Sequence, residues 1–164
     1  MALVKNKAVI DDPFADATGQ ETIPASGPVL VDFEQWQAHR EQLLQRTAPV
    51  GIKLRSDQTP ELIAADLSSL AMVALEFPVF RDGRAYSYAR LLREQYGFSG
   101  EIRAVGDVLL EQLHFMERTG FDAFELQSDD PLGELQIASA DFDVWYQPAA
   151  DGRLSAMQLR HQAD

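Results

Sequence analysis

"MVALEFPVFRDGRAYSYARLLREQYGFSGEIRAVGD", residues 72–107, holds one complete structural repeat and sets the reading of the whole chain. It begins with a β-favourable run, MVALEF. It continues through a polar loop into AYSYARLLREQYG, where Tyr88, Leu91, Leu92 and Tyr96 fall at helical spacing and Gly97 closes the helix. A second β-favourable run, EIRAV, then follows. Strand, helix, strand in that order needs a crossover connection, so the two strands lie parallel.

The same rhythm extends in both directions. GIKLR (51–55) precedes the repeat and FDAFEL (121–126) follows it. The first gap contains TPELIAADLSSL, with Thr59 expected as N-cap, Pro60 at the first helical position, and Leu62, Ile63 and Leu67 on one side. The third contains VLLEQLHFMERTG, with Asp107 expected as N-cap and Gly120 as a left-handed C-terminal cap. Upstream, Asp32 and Gln35 have capping-box spacing, and Phe33, Trp36, Leu43 and Leu44 predict a helix to about Arg46, before Pro49. Downstream, Asp130 and Pro131 start a helix-like DPLGELQIASA. DFDVWYQ offers a last strand in which Phe142, Val144 and Tyr146 share a face. Residues 1–28, rich in Pro, Gly, Asp and Thr and without apolar period, read as an extended or mobile lead-in to one α/β domain over 29–164.

Side chains alternate across a strand, so each run divides into two faces. One contains Ile52, Leu54, Val73, Leu75, Phe77, Ile102, Ala104, Phe124 and Leu126, and is expected to carry the helices. The other contains Lys53, Glu76, Arg103 and Glu125, whose signs alternate from strand to strand. Parallel sheets sandwiched between helices read apolar on both faces. The expected fold is therefore a four- to five-stranded, mostly parallel sheet resembling half of a β/α barrel, since a full eight-stranded barrel needs about 200 residues or more.

The charged row has two readings. Neighbouring strands can neutralise one another in a salt-bridge ladder, or the row can floor a pocket. In parallel α/β folds ligands bind beyond the carboxyl ends of the strands. That edge would gather Arg55, Arg81, Asp82, Arg84 and Asp107, with Arg103 on the adjoining face, and guanidinium forks there suit sulfate, phosphate or carboxylate. Arg90 and Arg93 are assigned to the solvated helix face, with Arg90 and Glu94 an i,i+4 pair.

Composition removes whole classes of function. There is no cysteine, so no thiol redox step, zinc-thiolate site or cysteine-held cluster exists in the chain. A net charge of -12 repels phosphate backbones and anionic membranes and attracts basic protein surfaces, so neither nucleic acid nor membrane is an expected partner. No run of about 18 apolar residues and no secretory leader pattern is present, and a cytoplasmic location is the expectation. His39, His114 and His161 lack ligand-like spacing, and no metal site is expected. No catalytic residue can be assigned. There is neither a dinucleotide-binding glycine turn, nor a P-loop, nor a nucleophile elbow.

Three motifs go further: Phe80, Asp82, Gly83, Arg84, Tyr86 and Ser87 in FRDGRAYS; Arg103 to Leu109 in RAVGDVL; and Gly120 to Phe124 in GFDAF. With them, the segment from Val50 to Gln147 resembles a bacterial family of unknown function encoded beside sulfite reductase and described as a probable oxidoreductase involved in sulfite reduction. Sulfite reduction to sulfide uses siroheme and an iron-sulfur cluster, and a chain without cysteine has no thiolate to hold either. The resemblance therefore implies an accessory protein that docks on sulfite reductase or its electron donor, with an oxyanion site as a further expectation. The alternative expectation is a small oxidoreductase or other enzyme using a non-covalently bound flavin, nicotinamide or phosphorylated substrate at the charged face. A homodimer closing two such faces together is a third.

Overall fold

A computed structural model describes residues 2–128, 130, 131, 133, 149 and 153–162. Among the described residues eight strands form one sheet: β1 Ala2–Lys5, β2 Ala8–Ile10, β3 Ala15–Asp16, β4 Val29–Asp32, β5 Val50–Leu54, β6 Met72–Phe77, β7 Glu101–Gly106 and β8 Ala123–Leu126. Their spatial order is β2-β1-β8-β7-β6-β5-β4-β3. The six strands from β3 to β8 run parallel, and β1 pairs antiparallel with both β8 and β2. The fold is α/β with a mostly parallel, curled, half-barrel sheet, and it has more strands than the four or five expected.

The additional strands come largely from the segment read as a lead-in. Leu3 and Val4 bury their side chains, and the Asn6–Lys7 turn, with φ of 52° and 61°, folds β1 back on β2 in the two-residue geometry that suits sheet twist. Sheet structure thus precedes Val29. The helix-like DPLGELQIASA and the last strand DFDVWYQ fall largely or wholly outside the described residues.

Curvature follows from connectivity. Eight flat strands at about 4.8 Å would separate the outermost pair by about 34 Å. β2 and β3 are that pair, and the five Cα steps from Ile10 to Ala15 reach at most about 18 Å. Residues 11–14 therefore form a chord, and the sheet bends through about half a circle to meet it.

The apolar parity behaves as expected. Ile52, Leu54, Val73, Leu75, Phe77, Ile102, Ala104, Phe124 and Leu126 belong to one buried core with helix residues such as Trp36, Leu43, Ala89, Leu92 and Met116. α1 (Phe33–Leu44) begins at the expected capping box, with Asp32 Oδ1 accepting from Gln35 N–H and Gln35 Oε1 from Asp32 N–H. α2 spans Arg84–Glu94 and α3 Leu113–Thr119, and α3 ends on Gly120 at φ 114°. A short helix, α4, occupies Ala156–Gln162.

Two local expectations change. The first crossover, Pro60–Ser69, is a 3₁₀ helix. Three residues per turn place Pro60, Ile63 and Asp66 inward and leave Leu62 exposed, not beside Ile63. Asp107 caps no helix: a 3₁₀ turn at Leu110–Gln112 leads into α3, and the Asp107 carboxylate is used elsewhere.

Candidate functional site

The sheet register resolves the charged row into a checkerboard. Lys53, Ala74, Arg103 and Ala123 lie side by side at one level, and Glu76 stands beside Val105 two residues further along. Opposite charges therefore meet diagonally. Lys53 Nζ lies 2.7 Å from Glu76, and Arg103 Nη1 lies 3.4 Å from Glu125. Along its own strand, Arg103 Nε donates to Glu101 at 2.9 Å, while Lys5 on β1 reaches the other Glu101 oxygen at 2.6 Å.

Arg103 has 0% exposure, and the N-terminal chord covers it. Asp12 accepts from both terminal nitrogens of its guanidinium, at 2.6 and 3.1 Å. The Phe14 ring lies 5.8 Å from its central carbon and packs on Leu30, Met72, Ala74 and Val105, the small apolar cluster of this inner face. Three carboxylates thus surround one buried cation. Burial works against the charged guanidinium, but the hydrogen bond to Asp12 and the charge of Glu101 outweigh it and raise its pKa. Burial also pushes the Glu125 carboxyl above its usual range, with Arg103 opposing.

The other candidates lie at the carboxyl edge of the parallel strands. Arg55 follows β5 and pairs with Glu34 at 2.8 Å and Asp57 at 3.4 Å. Arg84 opens α2 and forks onto Asp82, Nε to Oδ1 at 2.9 Å and Nη2 to Oδ2 at 2.6 Å. Nη2 also donates to Ser56 Oγ at 2.9 Å, which ties the β6 loop to the β5 loop. Tyr88 Oη reinforces that junction by donating to the Ser56 carbonyl at 3.0 Å. The fork holds the Asp82 carboxyl well below the usual carboxylate range. Asp107, just beyond β7, accepts from Phe80 N–H at 2.8 Å, and Gln112 donates to the Phe80 carbonyl at 3.0 Å. Gly106 makes this approach possible. Its φ is 92°, and a Cβ there would stand 2.4 Å from the Phe77 carbonyl oxygen.

The six oxyanion candidates therefore occupy two places. Arg103 lies on the inner face, while Arg55, Arg81, Asp82, Arg84 and Asp107 lie along the edge. Arg81 is exposed, its guanidinium is 5.6 Å from the Phe80 ring, and it has no carboxylate partner among the described residues. Sequence reasoning missed Asp12, Phe14, Lys5, Glu101 and Ser56. A carboxylate and an aromatic in DDPF were the available signal, but nothing local showed what they would cover.

Arg93 also departs from expectation. It is no solvated helix residue: Nε donates to the Gly120 carbonyl at 3.0 Å, Nη1 to those of Phe98 and Gly100, and Nη2 pairs with Asp122. Arg90 and Glu94 do form their i,i+4 pair, at 2.9 Å. Near Arg93, at the opposite end of the sheet, an open depression of about 420 Å³ is lined by Lys7, Arg93, Glu117, Asp122 and Arg153. Its charges are largely paired as well, Arg93 with Asp122 and Arg153 with Glu117 at 3.6 Å. Among the described residues no group of three His, Asp or Glu side chains is placed to hold a metal ion, and no helix is long and apolar enough to cross a membrane.

A family model described as a bacterial protein of unknown function (DUF934) matches residues 51–157, well over half of the chain. The match takes in β5 to β8 and both sides of the strand edge. No curated protein matches the chain. The chain belongs to the DUF934 family.

Proposed function

We propose that this DUF934 protein is an accessory component of assimilatory sulfite reduction, docking on sulfite reductase or its electron donor in the cytoplasm. The sulfite context rests on the motifs around Phe80–Ser87, Arg103–Leu109 and Gly120–Phe124 and the family they resemble. The absence of cysteine favours a supporting role, because the chain has no thiolate for the cluster chemistry of the reductase.

One observation favours docking over chemistry. Of the four candidate arginines, Arg55, Arg84 and Arg103 are each held by carboxylates of this same chain. A carboxylate already in the guanidinium fork competes with any external oxyanion, and at Arg103 an incoming anion would meet Glu101 and Glu125 as well. A cofactor on the inner face would in addition need Asp12 and Phe14 to move aside. The net charge of -12 supports association with a basic protein surface and opposes pairing of two copies.

The test is binding of the purified chain to purified sulfite reductase and to its electron donor at low ionic strength, paired with growth of a deletion strain on sulfite. Binding that weakens with salt and slower growth are expected. No binding to either protein, with unchanged growth, overturns the proposal. A protein purified with flavin absorbance would instead favour the small-oxidoreductase reading.

A further inference from the structure

The β6–α2 loop presents apolar surface that the fold does not use. Val79, Phe80 and Phe115 are 52%, 44% and 58% exposed, and other apolar side chains such as Leu62 and Met157 are exposed as well. Scattered exposed apolar residues need no explanation, but these are held together. Gln112 grips the Phe80 carbonyl from the turn that leads into α3, and the ring of Phe115, three residues on, packs at a tilt against Tyr86 of α2, centroid to centroid 5.0 Å.

The backbone beneath the patch is fixed from both sides. Asp107 holds the Phe80 N–H, Gln112 holds its carbonyl, and the Asp82 to Arg84 fork closes the loop one turn later. The Phe80 ring is thus presented outward from a fastened backbone, with Arg81 beside it. Rigid aromatics next to an arginine are the residue types that dominate binding energy at protein interfaces, because little side-chain entropy is lost when they are covered.

We propose that Val79, Phe80, Arg81 and Phe115 form the docking surface of this protein, an assignment that rests on the accessory role above. Charge selects the occupant. A second copy also has net charge -12 and is repelled, as is a phosphate-bearing surface. The surface instead fits a folded protein with an apolar hollow for Phe80 and Phe115, a carboxylate at its rim to meet Arg81, and a surrounding basic surface attracted by the acidic chain.

The experiment measures binding of the full chain to immobilised sulfite reductase and to its electron donor, for wild type, Phe80→Ser, Phe115→Ser and Arg81→Glu. Melting curves of each variant confirm folding. The expected result is wild-type binding to one of the two, at least tenfold weaker for each aromatic variant, with melting temperatures unchanged. Arg81→Glu, at an exposed position with no carboxylate partner among the described residues, is expected to weaken binding fivefold or more. Binding by all three variants within twofold of wild type removes the surface assignment and leaves the accessory role standing. No binding by the wild-type chain to either protein removes both.

Discussion

Arg103 and Arg81 come from the same strand–helix–strand repeat, and their surroundings are opposite. Arg103 is fully buried among Asp12, Glu101 and Glu125, beneath a chord of the chain's own N-terminal segment. Arg81 stands exposed beside the exposed ring of Phe80, without a carboxylate among the described residues. On the inner face, charge is used within the fold, and removing it should be felt as lost stability. At the loop, the Arg81 charge and the Phe80 ring face solvent, and removing these two should be felt only by a partner.

The largest expected effect is on the inner face. Arg103→Met keeps most of the volume but leaves Asp12 and Glu125 without their cation and Glu101 with Lys5 alone, and should cost about 3–5 kcal/mol in urea unfolding at neutral pH. A loss below about 1 kcal/mol would mean that the carboxylates are well solvated and the face is open. Phe14→Ala comes next, at about 1–2 kcal/mol, since its partly buried ring covers Met72, Ala74 and Val105. Phe80→Ser, by contrast, should change stability by no more than about 0.5 kcal/mol. A large loss there would show that the loop is packed, not presented.

The smallest effects lie in pH dependence, where the two regions should have opposite signs. The Glu125 carboxyl is raised in the folded state, chiefly by burial, so its contribution is fully present below its ordinary value of 4.5 and is lost as pH rises. Glu125→Gln should therefore gain stability relative to wild type on going from pH 4 to pH 7. The Asp82 carboxyl is lowered, chiefly by its hydrogen bond from Arg84, so its contribution is present above its ordinary value of 3.8 and is lost as pH falls. The deficit of Asp82→Asn should accordingly shrink in acid. Slopes of the same sign for both variants would break the contrast.

Much of the fold is legible in the sequence because its signal has a short period. Residues from Ile52 to Leu126 separate into an apolar and a charged face by alternation alone, and the buried core follows that division. Register has no such signal. The row of Lys53, Glu76, Arg103 and Glu125 reads as one line, and only the offset between strands shows that its pairs are diagonal. The N-terminal strands are two to four residues long, too short for any period, and their role depends on where the sheet's far edge lies. The edge candidates Arg55, Asp82 and Arg84 are legible as a group, whereas Ser56, which joins two of the loops, is a residue type too common to single out. Arg93 misleads because helical spacing places it near the surface, while its acceptors lie in turns five to twenty-nine residues away.

The absence of cysteine allows both regions to be read with one reporter. Ala74, fully buried under Phe14, and Val79, exposed in the β6–α2 loop, can each be changed singly to cysteine and the thiol's reaction with an aromatic disulfide followed in native buffer. The Val79→Cys thiol should react at close to the rate of the unfolded chain. The Ala74→Cys thiol should react at least a hundredfold more slowly, and speed up when Asp12 and Phe14 are replaced by alanine. Comparable rates at the two positions in the otherwise intact protein would contradict the account, because the inner face would then be open to solvent and its charged row free to receive a ligand.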